Sequence, residues 1–176
     1  VKKVIYSSSS SVVGNGSGPA SPYALQKYTT ELETTMYSQL YGLDTVSLRY
    51  FNVYSHDQRA DGPYATAVAN WMKSIRDDKV PYITGDGKQR RDMINVADVV
   101  AANIFCMNHE ERFDGSVFDV GTGDNISLNE MADIVNNHFP NIIFNYVESR
   151  KGDVMFTRAN ISGLSKIGWT SSIDIR

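Results

Sequence analysis

A short apolar run, Val4-Ile5-Tyr6, passes directly into five serines, Ser7 to Ser11, and Ser21-Pro22 then opens a long stretch of helical spacing. This order, a buried strand whose end carries small hydroxyls followed by a helix, restricts the fold more than any other feature. Leu25, Tyr28, Leu32, Met36 and Leu40 recur every three or four residues, as one stripe of a helix does. Ser21 reads as the N-cap, Pro22 as the first helical residue and Gly42 as the stop.

Strand and helix signals keep alternating after that. Val46, Leu48 and Tyr50 alternate within a predicted strand over 45–53, and a helix is predicted over 64–76 with Ala65, Val68, Ala69, Met72 and Ile75 inward. Gly85-Asp86-Gly87 reads as a turn, 91–96 as extended, 97–107 as helix and 117–120 as a strand ending in Gly121-Thr122-Gly123. Ser127 and Glu130 have the spacing of a capping box. A strand over 142–147 and a short helix over 161–167 complete the pattern. Alternation of this kind predicts an α/β fold with a largely parallel sheet. Residues 1–54 supply too few strands to complete such a sheet.

Bulk properties exclude several classes. A net charge of −3 argues against non-specific binding of nucleic acid. No apolar run approaches the length of a membrane span, and Val1 to Tyr6 contains too short an apolar stretch for a signal peptide. The single Cys106 rules out an internal disulfide, suits a reducing cytoplasm and reads as a buried small hydrophobe. His56, His109 and His138 are scattered without metal-ligand spacing, so no metal is expected. Trp71 and Trp169 read as core residues.

The chemistry-bearing feature is Tyr23 with Lys27. Four residues apart on a helix they share a face, so an ammonium lies near a phenol and favours the phenolate needed for proton transfer near neutrality. Tyr-x-x-x-Lys alone fits an amphipathic helix with a surface lysine equally well. The serine-rich strand end upstream adds small hydroxyls at the carboxyl edge of the sheet, where α/β folds bind ligands.

Several separated segments together resemble the extended short-chain dehydrogenase/reductases of the NAD-dependent epimerase/dehydratase family, near the UDP-glucose and UDP-N-acetylglucosamine 4-epimerases. They are Val4 to Gly14, Ser21-Pro22-Tyr23-Ala24-Leu25-Gln26-Lys27, Leu48-Arg49-Tyr50-Phe51-Asn52-Val53-Tyr54, Arg90-Arg91-Asp92 with Asn95-Val96-Ala97-Asp98-Val99, and Arg150-Lys151-Gly152-Asp153. The resemblance implies the second half of a Rossmann-type parallel-sheet domain (1–54 and 94–121) with a smaller α/β substrate domain (55–93 and 122–176). The family's Gly-x-x-Gly-x-x-Gly element and the first half of its fold have no counterpart here, and the stretch from Gly14 to Tyr23 is shorter than the family's.

By the same resemblance, Ser9, Tyr23 and Lys27 are catalytic. Ser7, Ser8, Tyr23, Lys27, Tyr50 and Phe51 lie against NAD. Ser9, Ser10, Asn52, Ala67, Val68, Arg91, Arg150, Asp153 and Thr157 contact a UDP-sugar. Of these, Asn52, Arg91 and Arg150 take the diphosphate and Asp153 the ribose; taken alone, each arginine is an ordinary solvated charge. The implied protein is a cytoplasmic homodimer, with Met36 and Tyr37 at its seam or packed within the chain. Val13 and Met93 replace aromatic residues of the family.

Within the family, 4,6-dehydratases carry an acidic pair where Ser10 and Ser11 stand here, which leaves no evident acid and base to eliminate water. The expected activity is therefore 4-epimerisation, and the small Thr157 implies tolerance of N-acetylhexosamines. A decarboxylase, a keto-sugar reductase, a dehydratase and a non-catalytic sugar-nucleotide-binding chain remain alternatives.

Overall fold

The computed structural model describes residues 1–176 apart from residues 15, 63, 64 and 150–152. Its centre is a three-stranded parallel sheet of β1 (Lys3–Ser9), β2 (Asp44–Tyr50) and β7 (Ser116–Val120), in the order β1-β2-β7. Ser9, Tyr50 and Val120 stand side by side at the carboxyl edge. The serine run is thus strand as far as Ser9, because the backbone of Ser7 to Ser9 pairs with Leu48 to Tyr50. A 3-10 turn, Ser10–Val12, follows. Gly14 then turns the chain at a φ of +56°, with its Cα so close to the Gly18 carbonyl that a side chain there would collide with it.

Helix α1 (Pro22–Tyr41) begins and ends as its sequence predicts. Ser21 Oγ accepts the Ala24 N–H at 3.1 Å, and Gly42 ends the helix at a φ of 65°. The helix covers one face of β1 and β2, where Ser8, Thr45, Ser47 and Arg49 point. Helix α3 (Val96–Asn108) packs on the opposite face through Val99, Ala102 and Cys106, which join Val46, Leu48, Ile94, Val120, Leu164 and Trp169 in one core. The short α5 (Ser162–Lys166) supplies Leu164 beside β7.

A second core gathers Trp71, Ile83, Met93, Ile126, Leu128, Met131, Ala132 and Val135. It is built by α2 (Ala67–Arg76) and α4 (Leu128–His138). Small strand pairs brace it: β3 (Val53–Tyr54) with β6 (Ile94–Asn95), β4 (Tyr82–Thr84) with β9 (Asn145–Val147), and β5 (Arg90–Arg91) with β8 (Ile126–Ser127). The capping box at Ser127 and Glu130 is formed.

Several boundaries differ from the sequence reading, among them the strand read over 142–147, which runs only over Asn145–Val147. Thr66 caps α2, so that helix starts at Ala67. Strand β2 ends at Tyr50, where the Phe51 N–H still reaches the Val120 carbonyl but Asn52 turns toward Asp92. The extended stretch at 91–96 is two short strands separated by Asp92 and Met93, and Val96 already belongs to α3. Cys106, Trp71 and Trp169 are buried as read. Among the described residues, no helix is long and apolar enough to cross a membrane.

Candidate active site

The first turns of α1 bring Tyr23 and Lys27 to the end of β1, which carries Ser7 and Ser9. Lys27 Nζ donates to the Ser7 carbonyl at 2.8 Å and lies 5.9 Å from the centre of the Tyr23 ring and 5.2 Å from that of Tyr6. Tyr23 is 36% exposed, so its ring borders solvent beside the strand end. Ser9 Oγ accepts from the Ser11 N–H at 3.2 Å and from Ser11 Oγ at 3.0 Å, which leaves its own O–H to donate outward. An oriented hydroxyl, a phenol and an ammonium suit removal of a proton from a carbinol.

The cofactor candidates divide by strand alternation. Ser7 Oγ lies 3.0 Å from the Tyr50 hydroxyl, which takes a hydrogen bond from Asn103 Nδ2 at 2.9 Å. Ser8 points to the other face, is buried, and donates to Glu31 Oε1 at 2.5 Å. Phe51 is buried beneath the edge.

The substrate candidates border two cavities. One, of about 270 Å³, is lined by Asn52, Ala67, Arg91 and Asp153, and also by Thr66, Asn70, Trp71, Tyr82, Thr84, Gln89 and Met131. Arg91 Nη2 donates to Asp153 Oδ1 at 2.7 Å, and burial pulls the Arg91 guanidinium below its ordinary pKa. Val68 packs on the second core instead of lining this cavity. Arg150 lies outside the described residues.

The other cavity, of about 410 Å³, is lined by Ser10, Val13, Gly14, Gly16, Phe51, Asp119, Met155, Phe156, Thr157 and Arg158. Burial raises the Asp119 carboxyl pKa, although the Asn160 N–H partly offsets this. Thr157 is held between the two regions: its Oγ1 accepts from Asn52 Nδ2 and from the Asp92 N–H, each at 3.1 Å.

Sequence reasoning left Asp92 without a role. It is fully buried and accepts from the Thr122 N–H and Oγ1 at 2.8 Å, the Gly123 N–H at 3.0 Å and the Ala159 N–H at 2.9 Å. The Gly121-Thr122-Gly123 turn after β7 was the available signal, since such turns expose backbone donors. The linings Tyr82, Thr84, Gln89 and Met131 carried none.

The family model for the NAD dependent epimerase/dehydratase family matches residues 1–121. The chain belongs to that family. Its members include a UDP-glucuronate 4-epimerase from Thermodesulfobacterium geofontis, 31% identical over 99% of this chain and 56% of that protein. A UDP-N-acetyl-alpha-D-glucosaminuronate decarboxylase from Bacillus cytotoxicus is 33% identical over 74% of this chain and 44% of its own length. Among solved structures, the UDP-N-acetylglucosamine 4-epimerase from Methanobrevibacter ruminantium M1, in complex with UDP-N-acetylmuramic acid, superposes with a TM-score of 0.91. It shares 36% identity over 99% of this chain and 59% of that chain. The chain thus spans about half the length of the curated relatives it matches. The family is NAD dependent, and its α/β fold with parallel strands is the one described above.

Proposed function

We propose that this chain carries the catalytic edge and the substrate-binding part of a nucleotide-sugar 4-epimerase acting on a UDP-hexose or UDP-N-acetylhexosamine. The observation that carries this reading is the Lys27 ammonium beside the Tyr23 ring and bonded to the Ser7 carbonyl, at the strand end where Ser9 stands, with Ser10 and Ser11 where a dehydratase would need carboxylates. Residues 1–54 and 94–121 form the part that faces NAD, and residues 55–93 and 122–176 the part that holds the sugar nucleotide. The two hydrophobic cores follow that division except at Leu164 and Trp169, which pack in the first core.

The donor set suits the cofactor. Lys27 spends one N–H on Ser7 and keeps two for ribose hydroxyls, and the side chains of Ser7 and Ser9 are small enough to let a flat ring approach the strand end. NAD, when bound, supplies the hydride acceptor at carbon 4. Tyr23 takes the proton of the 4-hydroxyl, Ser9 holds that oxygen by a hydrogen bond, and Lys27 stabilises the phenolate. Tyr23 then returns the proton to whichever epimer forms. Arg91 binds the diphosphate with its planar fork, and Thr157 leaves room beside carbon 2 for an acetamido group.

Helix α1 also supports a homodimer. Leu25, Tyr28, Leu32, Met36, Tyr37 and Leu40 are all exposed along it, an apolar stripe too long for an isolated surface. The reduced, buried Cys106 accords with a cytoplasmic protein.

The test is product analysis of the whole protein supplied with NAD and, in turn, UDP-glucose, UDP-N-acetylglucosamine and UDP-glucuronate. Interconversion at carbon 4 is expected. Release of carbon dioxide from the uronate would replace this reading with decarboxylation, and turnover of UDP-glucose without UDP-N-acetylglucosamine would remove the role given to Thr157.

A further inference from the structure

Helix α1 meets the sheet largely through polar groups. Its buried residues are Ala24, Glu31 and Ser38, and the strand face beneath it shows Ser8, Thr45, Ser47 and Arg49 beside Val4 and Tyr6. Apolar side chains could slide past one another here; directional hydrogen bonds cannot. Glu31 is the most heavily bonded of the buried helix residues. Its Oε1 accepts from Ser8 Oγ at 2.5 Å and from Arg49 Nε at 2.9 Å, while its Oε2 accepts from Arg49 Nη2 at 2.7 Å. Glu31 is 2% exposed.

The pair stands in a particular place. Tyr23, Lys27 and Glu31 are spaced four apart and share a helix face. Ser8 and Arg49 are register partners on adjacent strands. Ser8 sits between Ser7, whose carbonyl receives the Lys27 ammonium at 2.8 Å, and Ser9. The same helix face therefore grips two consecutive residues of β1, one through Lys27 and one through Glu31.

We propose that Glu31 is a positioning residue: its three-way contact with Ser8 and Arg49 forms a buried strut that fixes the height of α1 over the strand end and so holds Lys27, and with it Tyr23, in reach of the reacting carbinol. A buried ion pair is costly to desolvate and is a weak source of net stability, so its use here is to set one register between helix and sheet. The catalytic part of the inference rests on the epimerase reading; the geometric part does not.

Two variants and two measurements test it. Glu31→Gln keeps the shape but loses the fork to Arg49. Ser8→Ala removes only the strand contact and leaves the ion pair intact, so it keeps the fold. The first measurement is heteronuclear NMR of the lysine ammonium groups, which needs no activity. In the parent protein the Lys27 ammonium exchanges slowly with water, and both variants speed that exchange. The second is steady-state kinetics of the NAD-loaded whole protein. Here kcat falls about 10- to 100-fold for Glu31→Gln and several-fold for Ser8→Ala, while KM for the sugar nucleotide stays within about threefold, as expected when reacting groups are misplaced by a fraction of an ångström.

Folded variants with parent-like Lys27 exchange would overturn the strut, as would kcat losses matching only the unfolded fraction seen by circular dichroism. Parent protein without turnover, but with Lys27 exchange sensitive to both variants, would sink the epimerase reading and leave the strut standing.

Discussion

Arg91 and Asp153 hold each other at 2.7 Å in the wall of the cavity lined by Asn52, Ala67 and Gln89. Asp153 fixes the guanidinium while that group is partly removed from water, so on the proposed reading the fork is aimed in advance at the diphosphate. Arg91→Lys keeps the charge but loses the paired geometry. The Kd for UDP, measured by titration calorimetry, is expected to rise about tenfold, roughly the worth of one charge-assisted bond, while uridine binding changes little. Equal weakening for both ligands would remove Arg91 from the diphosphate.

Tyr23→Phe removes the only proton carrier assigned to the reaction. Turnover of the whole enzyme is expected to fall by about 10²- to 10⁴-fold, the range of a lost general acid–base, with KM and melting temperature nearly unchanged. A drop of less than threefold would hand the proton to another group.

Asp92 serves stability more than chemistry. Its carboxylate is the shared acceptor for Thr122, Gly123 and Ala159, so it ties the turn after β7 to the segment that carries Thr157. Asp92→Asn turns an amide N–H₂ toward backbone donors. Urea unfolding is expected to show a loss of about 2–4 kcal/mol, since buried donors left unpaired cost that much together.

Cys106 provides a pH test. Burial pushes its thiol pKa up to about 11, slightly offset by the Lys3 ammonium. The folded state favours the neutral thiol, so this contribution to stability is complete below the unfolded value of about 8.5. It is lost as pH climbs from there toward about 11. Iodoacetamide is accordingly expected to leave Cys106 unmodified at pH 8 in native protein and to alkylate it after unfolding. Rapid native labelling at pH 8 would contradict the burial.

The outer stripe of α1 predicts assembly. Leu32 is 54% exposed and Met36 49%. Leu32→Lys with Met36→Glu is expected to halve the mass measured by light scattering, with the circular dichroism spectrum preserved. A parent protein that is already monomeric would end the dimer proposal.

Much of the fold could be read from local chemistry. Ser21, Pro22 and Gly42 set the ends of α1, and Ser127 with Glu130 opens α4, because caps are satisfied within a few residues of themselves. The meeting of Tyr23 with Lys27 was legible for the same reason. What was hidden depends on what lies opposite. The apolar stripe of α1 normally marks the face turned to the sheet, yet here Ala24, Glu31 and Ser38 turn inward. The strand face they meet carries the hydroxyls of Ser8, Thr45 and Ser47 and the Arg49 guanidinium beside Val4 and Tyr6, and nothing in the helix alone states that. Likewise Ser7 to Ser9 carry no strand signal of their own; their pairing with Leu48 to Tyr50 makes them strand.

Helix α1 therefore does two jobs with opposite sides. Its 20 residues make a rod of about 30 Å, anchored to the sheet by ions and hydroxyls and carrying an exposed apolar stripe outside. Whatever settles on Leu40 or Tyr37 leans on the same lever that carries Tyr23. On the proposed reading, a subunit contact and the proton carrier would share one helix, so that a change at either would be felt by the other.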